Sequence, residues 1–156
     1  MKVKILPSKT SGEVSAPPSK SFAHRYLIGS VLSRGKCVIN NIADSDDISA
    51  TLSCIEQLGG SVTKDGNIVT VIPTNEKQIE NAVFDCKESG STLRFFIPVV
   101  LATGAKNCTF LGSERLLARG IKEYEKLFEN SGVEIKSDEK AIEVNGKLSS
   151  GNYEIS

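Results

Sequence analysis

The chain repeats itself, and the repeat limits what it can fold into. By apolar periodicity, residues 12–16 read as a short strand, 20–34 as a helix ending near Gly35, and 36–42 as a strand. Asp44-Ser45-Asp46-Asp47 opens a second helix with Ile48, Leu52, Ile55 and Leu58 on one face, stopped by Gly59-Gly60. Strands 61–64 and 67–72 follow, around the hairpin signal Asp65-Gly66. The order then starts again with a strand at 82–85, a helix at 90–104, a strand at 107–111 and a helix at 114–130. Leu117, Ile121, Tyr124 and Phe128 share one face of that last helix, and strands 133–137 and 141–145 close the copy. The pattern is βαβαββ, twice. Val14 maps to Val83 and Arg25 to Arg94, each 69 residues on, and Gly59 to Gly132, 73 on. That period is longer than the usual solenoid repeats, so it predicts duplicated folding units rather than an array.

Residues 151–155 match the leading strand at 12–16 and predict the opening of a third copy, which makes the chain the N-terminal part of a longer protein. A two-unit domain with a frayed tail fits the same pattern. Residues 92–102 are apolar nearly all round, which predicts a buried helix, kinked at Pro98. The last two strands alternate, with Val133, Ile135, Ile142 and Val144 facing in and Glu134, Lys136, Glu143 and Asn145 facing out. One-sided sheets and an apolar helix predict an α/β fold with helices inside and mixed sheets outside, the reverse of a doubly wound fold.

Helix N-termini are the sharp feature. Pro17-Pro18 hold the chain extended up to Ser19, an N-cap for the helix that follows. Its first turns carry Lys20, Ser21 and Arg25 at the end where the helix dipole is already positive. Cations there make sense around an anion, phosphate or carboxylate, that the free backbone N–H groups also hold. A solvated basic turn fits the same residues. In the second copy Glu88-Ser89-Gly90-Ser91-Thr92-Leu93-Arg94 takes the equivalent place, and Gly90 lets a ligand approach the backbone. A simple Ser/Gly cap accounts for it equally well. Gly112-Ser113-Glu114-Arg115 opens another helix with Arg in its first turn. The acidic opening at Asp44 is the contrast, being what an ordinary structural N-terminus requires. Pseudo-symmetry between the copies would bring Lys20, Arg25, Gly90, Arg94 and Arg115 around one pocket.

Composition excludes several classes. Nineteen Lys plus Arg balance 19 Asp plus Glu, so no global field points to nucleic acid or an anionic membrane. No run is long enough to span a bilayer. Cys37, Cys54, Cys86 and Cys108 form no C-x-x-C pair and read as reduced, mostly buried thiols of a cytoplasmic protein. With one His, a zinc site of ordinary ligands is not expected. Gly29 to Gly35-Lys36 has one residue too many for a Walker A loop. His24 has no nucleophile arrangement around it and reads as a cap or packing residue.

P-P-S-K-S-x-x-H-R, S-G-S-T-x-R, G-S-E-R-L-L-A-R and the βαβαββ repeats resemble EPSP synthase, the 3-phosphoshikimate 1-carboxyvinyltransferase family, over essentially the whole chain. The resemblance implies two domains of three such units each, with the active site between them. It implies transfer of the enolpyruvyl group of phosphoenolpyruvate to the 5-hydroxyl of shikimate 3-phosphate, with loss of phosphate and no metal or organic cofactor. By that resemblance Lys20 would contact phosphoenolpyruvate, and Ser21 and Arg25 shikimate 3-phosphate. Gly90, through its N–H, and Arg115 would hold phosphoenolpyruvate, with Arg94 and Arg119 supporting. The acid/base groups are expected in a second domain beyond Ser156, the full-length protein as a monomer. Residues 1–18 are expected to cross toward that domain, and 19–156 to form two units, about 19–78 and 79–150, plus the start of a third.

The chain departs from the family where Glu88-Ser89-Gly90-Ser91 replaces the common Asn-Ala-Gly-Thr, and where Gly120 rather than Pro follows Arg119. Two rival readings remain. One is the sister enolpyruvyl transferase acting on a UDP-amino sugar, which usually places a reactive Cys where this chain has Glu114. The other is a non-catalytic phosphate-binding module.

Overall fold

A computed structural model describes residues 2–4, 6–74 and 78–154. The first unit contains α1 (Lys20–Val31), β1 (Cys37–Ile39), α2 (Asp46–Gln57), β2 (Ser61–Asp65) and β3 (Ile68–Ile72). The second contains β4 (Ile79–Glu80), β5 (Val83–Asp85), α3 (Gly90–Thr103), β6 (Ala105–Leu111), α4 (Glu114–Leu117), α5 (Lys122–Phe128), β7 (Glu134–Ser137) and β8 (Ile142–Gly146). The first sheet is antiparallel in the order β1-β3-β2. The second is mixed: β4 and β5 run parallel to β6 along one of its edges, and β8 and β7 continue antiparallel on the other. Among the described residues no strand pairs across the two sheets, and the two halves meet where α1 and α2 pack on α3 and α2 packs on β5.

Helices do lie inside. Leu27, Ile55, Leu93, Phe96, Ile97, Val100 and Leu101 are fully or almost fully buried, and Val69, Val71, Phe84, Cys108 and Phe110 meet them from the sheets. Phe84 stacks on Phe110 at 4.9 Å between centroids and tilts against Phe96 at 6.2 Å, seating α3 on the second sheet. Each such ring buries enough apolar surface to contribute roughly 1.5–3 kcal/mol. Ile142 and Val144 face in and Glu143 faces out, as the alternation predicts.

Three features differ from the sequence reading. Residues 12–16 form no strand, and Val14 is 96% exposed. A single extended segment has no ladder without a partner strand, and none stands beside this one among the described residues. Residues 151–154 likewise form no strand, and Ile155 lies outside the described residues. The helix expected at 114–130 is broken in two. Gly120 sits at φ 66°, a left-handed conformation that ends α4 and re-aims the chain into α5, while Leu117, Ile121 and Phe128 still reach the core. As expected, α3 continues through Pro98, whose missing N–H would strand the Arg94 carbonyl. Tyr124 Oη on α5 donates to that carbonyl at 2.8 Å and replaces the lost bond.

Candidate functional site

Four helices open on serine caps. Ser19, Ser45, Ser89 and Ser113 accept from the N–H three residues on, in Phe22 (3.4 Å), Ile48 (3.2 Å), Thr92 (3.2 Å) and Leu116 (3.2 Å). The serine side chain adopts this role because the first turn of a helix has no internal partner for its N–H groups. Only α2, with Asp46 and Asp47, and the short α4, with Glu114, carry acid in the first turn of these four; α1 and α3 carry none. The free N–H groups of α1 and α3 therefore keep their positive potential.

Gly90 opens α3 beside two arginines. A Cβ there would stand 3.1 Å from Arg94 Nη1, 3.6 Å from Arg119 Nη1 and 3.7 Å from Leu116 Cδ1. Arg94 is aimed by hydrogen bonds from Nη1 to the Gly90 carbonyl (3.5 Å) and from Nη2 to the Gly120 carbonyl (3.3 Å). The left-handed turn at Gly120 thus presents the carbonyl that steers Arg94. The loop before α3 is stitched to the loop before α4. Cys86 N–H donates to Leu111 O at 2.9 Å, and Ser113 N–H to Lys87 O at 2.7 Å. These bonds hold Lys87 at φ 53°, together with its own N–H to Asp85 Oδ1 at 3.0 Å.

The α1 end is built differently. The Lys20 ammonium forms an ion pair with Asp47 in the first turn of α2. Arg25 donates from Nη1 to the Ser21 carbonyl at 2.9 Å and lies over the Phe95 ring of α3, 5.6 Å from its centroid. That cation–π contact sets the basic turn of α1 beside the α3 helix. A cleft of about 50 Å³ lined by Ser19, Lys20, Ala43 and Ser45 opens between the N-termini of α1 and α2.

The sequence-predicted residues therefore fall into two groups. Gly90, Arg94 and Arg119 come together; Lys20, Ser21 and Arg25 share the start of α1. Ser21 and Arg115 are exposed, and their side chains make no hydrogen bond or ion pair among the described residues. The sequence marks Asp47, the partner of Lys20, only as part of an ordinary acidic helix opening. Its local sequence holds no other signal, because the partner stands on a different helix. The four cysteines are free, and Cys86 is held far above the usual thiol range by its hydrogen bond with Cys54 and by burial. No His/Cys/Asp/Glu group that could hold a metal occurs among the described residues, and no helix there is long and apolar enough to cross a membrane.

Comparison with known proteins places the chain. The sequence profile of EPSP synthase (3-phosphoshikimate 1-carboxyvinyltransferase) matches residues 6–155. The chain is similar to the 3-phosphoshikimate 1-carboxyvinyltransferase of Clostridium novyi, 38% identical over 98% of this chain and 38% of the relative. It resembles that of Clostridium perfringens strain SM101 equally, at 38% identity over 99% of this chain and 37% of the relative. An EPSP synthase structure from Acinetobacter baumannii superposes with a TM-score of 0.72 at 18% identity, over 88% of this chain and 32% of that one, and shares the fold. The chain spans little more than a third of the length of the curated relatives it matches. With its capped helix openings, clustered arginines and inside-out layering, it belongs to the EPSP synthase family.

Proposed function

We propose that this chain is the anion-binding portion of a 3-phosphoshikimate 1-carboxyvinyltransferase. The enzyme moves the enolpyruvyl group of phosphoenolpyruvate to the 5-hydroxyl of shikimate 3-phosphate and releases phosphate. The convergence of Arg94 and Arg119 on the α3 N-terminus at Gly90 carries the reading. A phosphate or carboxylate set there accepts from the free N–H groups of α3 and from two guanidinium groups, whose fork geometry matches either anion. This favours Arg119 over Arg115 as the second cation for phosphoenolpyruvate, with Lys20 closing the site from α1. Ser21 and Arg25 then serve the 3-phosphate of the acceptor. The aromatic face under Arg25 fixes that guanidinium and holds it ready for a bidentate contact.

What the chain supplies is orientation. Both substrates are anions, and holding them in one geometry lowers the entropic part of the barrier. We assign proton transfer to and from the reacting carbons to groups of the longer enzyme outside this chain. The longer enzyme is read as a cytoplasmic monomer without a cofactor.

Alanine substitutions in a full-length enzyme carrying this chain test the assignment. Arg119→Ala should raise the KM for phosphoenolpyruvate by an amount equivalent to about 1.5–3 kcal/mol, the worth of a charge-assisted hydrogen bond. Arg115→Ala should have a smaller effect, and Arg25→Ala should act on shikimate 3-phosphate. Wild-type values in Arg119→Ala and Arg25→Ala together would refute the site. Turnover with a UDP-amino sugar instead would favour the sister transferase, and anion binding without transfer a binding module.

A further inference from the structure

His24 stands one residue before Arg25 and makes none of the anion contacts. It is 1% exposed. Its Nδ1 lies 2.8 Å from Thr51 Oγ1 on α2, and Thr51 Oγ1 lies 2.8 Å from Thr92 Oγ1 on α3. Thr92 Oγ1 donates to Ser89 Oγ, the cap of α3, at 2.6 Å. Thr51, Thr92 and Ser89 are as buried as His24. Four polar side chains thus cross an otherwise apolar core from the basic turn of α1 to the capped end of α3. The Asp47 carbonyl, in the first turn of α2, lies 3.1 Å from Thr51 Oγ1 and 3.3 Å from Thr92 Oγ1.

Counting hydrogens assigns the imidazole tautomer. Each hydroxyl has one hydrogen to give. That of Thr92 goes to Ser89. With that hydrogen spent, the 2.8 Å contact between Thr51 and Thr92 holds a hydrogen only if Thr51 supplies it, which leaves none for His24. Nδ1 is therefore the donor and Nε2 a bare lone pair. Nε2 is also the buried side-chain nitrogen without a partner among the described residues. An orphaned acceptor is the tolerable outcome; an orphaned N–H would be the costlier one. A second proton would place such an N–H on Nε2, with a positive charge and nothing to receive it. Burial accordingly holds the imidazole pKa below its ordinary value. Asp47 opposes this from α2, and Lys20 and Arg25 add to it from α1.

We propose that His24 is a positioning residue, held as the neutral Nδ1–H tautomer, that acts through Thr51 and Thr92 to set the axial register of α1 against α3. It thereby fixes the spacing between the Lys20–Arg25 turn and the Gly90 N–H groups. The functional part of this inference rests on the reading above, in which both ends serve one pair of substrates. Apolar side chains fill the rest of the α1–α2–α3 junction, and a buried polar contact selects one register among packings of similar energy. The chain of hydroxyls, with every link shorter than 3 Å, is a length gauge between the two anion ends.

One histidine in 156 residues makes the test direct, since nitrogen-15 imidazole spectra of the chain read a single ring. The expected spectrum at neutral pH is the Nδ1–H pattern, with protonation displaced below the ordinary imidazole range. An Nε2–H tautomer, or titration at about the ordinary pKa of 6.5, overturns the proposal whatever the enzyme does. The second arm is kinetic. Asn places an amide N–H close to the position of Nδ1, and Leu does not. In a full-length enzyme His24→Leu should raise both substrate KM values about tenfold, equivalent to roughly 1.4 kcal/mol, with His24→Asn recovering most of it. A merely structural histidine would reduce the yield of folded enzyme in both variants and leave their KM values at wild type, which would also overturn the positioning role. If His24→Leu does not fold, the wild-type tautomer and His24→Asn still decide. A wild-type full-length protein without enolpyruvyl transfer would sink the functional reading and leave the tautomer result standing.

Discussion

A buried neutral imidazole gives stability a direction with pH. The folded chain holds the His24 pKa below the ordinary value, whereas the unfolded chain takes up its proton near about pH 6.5. Below that pH the unfolded state binds more protons, so stability is complete above it and declines as pH falls toward the folded value. Urea unfolding at about pH 7.5 and pH 5 should show a larger fall in midpoint for wild type than for His24→Asn. Equal falls would mean that other groups carry the acid sensitivity. At this scale the caps were legible, because a serine before an apolar run acts through N–H groups three residues away. The partners of Lys20 and His24 were not. Asp47 and Thr51 stand 27 residues from them, on another helix, and nothing in local spacing names them.

Elements were legible wherever the apolar period was long, as in α1, α2 and α3, and failed where continuity depended on one backbone angle. Leu117, Ile121, Tyr124 and Phe128 keep helical spacing across Gly120, so periodicity alone cannot see the break between α4 and α5. That break matters, because it delivers Tyr124 to the carbonyl left without a donor by Pro98. Tyr124→Phe should destabilise the chain by about 1–2 kcal/mol, leaving the Arg94 carbonyl unpaired beside the site. Tyr26→Phe is the control, since Tyr26 is 62% exposed and only stacks on Phe22. Equal equilibrium stabilities of the two variants would show that water satisfies the carbonyl instead. The leading segment makes the complementary point. Its alternation resembles that of Val83–Asp85, but a strand is a property of a pair, and β5 has β6 beside it.

At the scale of the molecule, two sheets without shared ladders are joined by a helical interior, and the cationic helix ends open outward. The repeat made the layering and the division of the strands into two sheets legible. It could not show that Lys20 pairs with Asp47 or that Arg94 is held by the Gly120 carbonyl, because pseudo-symmetry relates elements and not side-chain partners. The 156-residue chain should bind inorganic phosphate weakly at the α1 and α3 ends and should release no phosphate from its two proposed substrates. General acid/base steps need groups within hydrogen-bond reach of the reacting atoms. Turnover above that of Lys20→Ala would place those groups in this chain after all.

The Lys20–Asp47 pair changes what binding means here. Lys20 already has an anionic partner in Asp47, so on the proposed assignment an incoming phosphate or carboxylate would replace one negative partner with another. Such an exchange is nearly isoelectric locally, in a molecule whose 19 basic and 19 acidic side chains already cancel. The displaced carboxylate is not abandoned, because the first turn of α2 offers it unpaired N–H groups and the positive end of a dipole. Measured affinity is then a difference between two occupants, and selectivity among anions rests on shape at Gly90 more than on attraction to Lys20. Asp47→Asn removes the resident competitor and should tighten inorganic phosphate binding to the chain several-fold, by up to about 1 kcal/mol for a half-exposed pair, as titration calorimetry would record. Weaker binding in Asp47→Asn would instead make the carboxylate a support that Lys20 needs in order to receive its ligand.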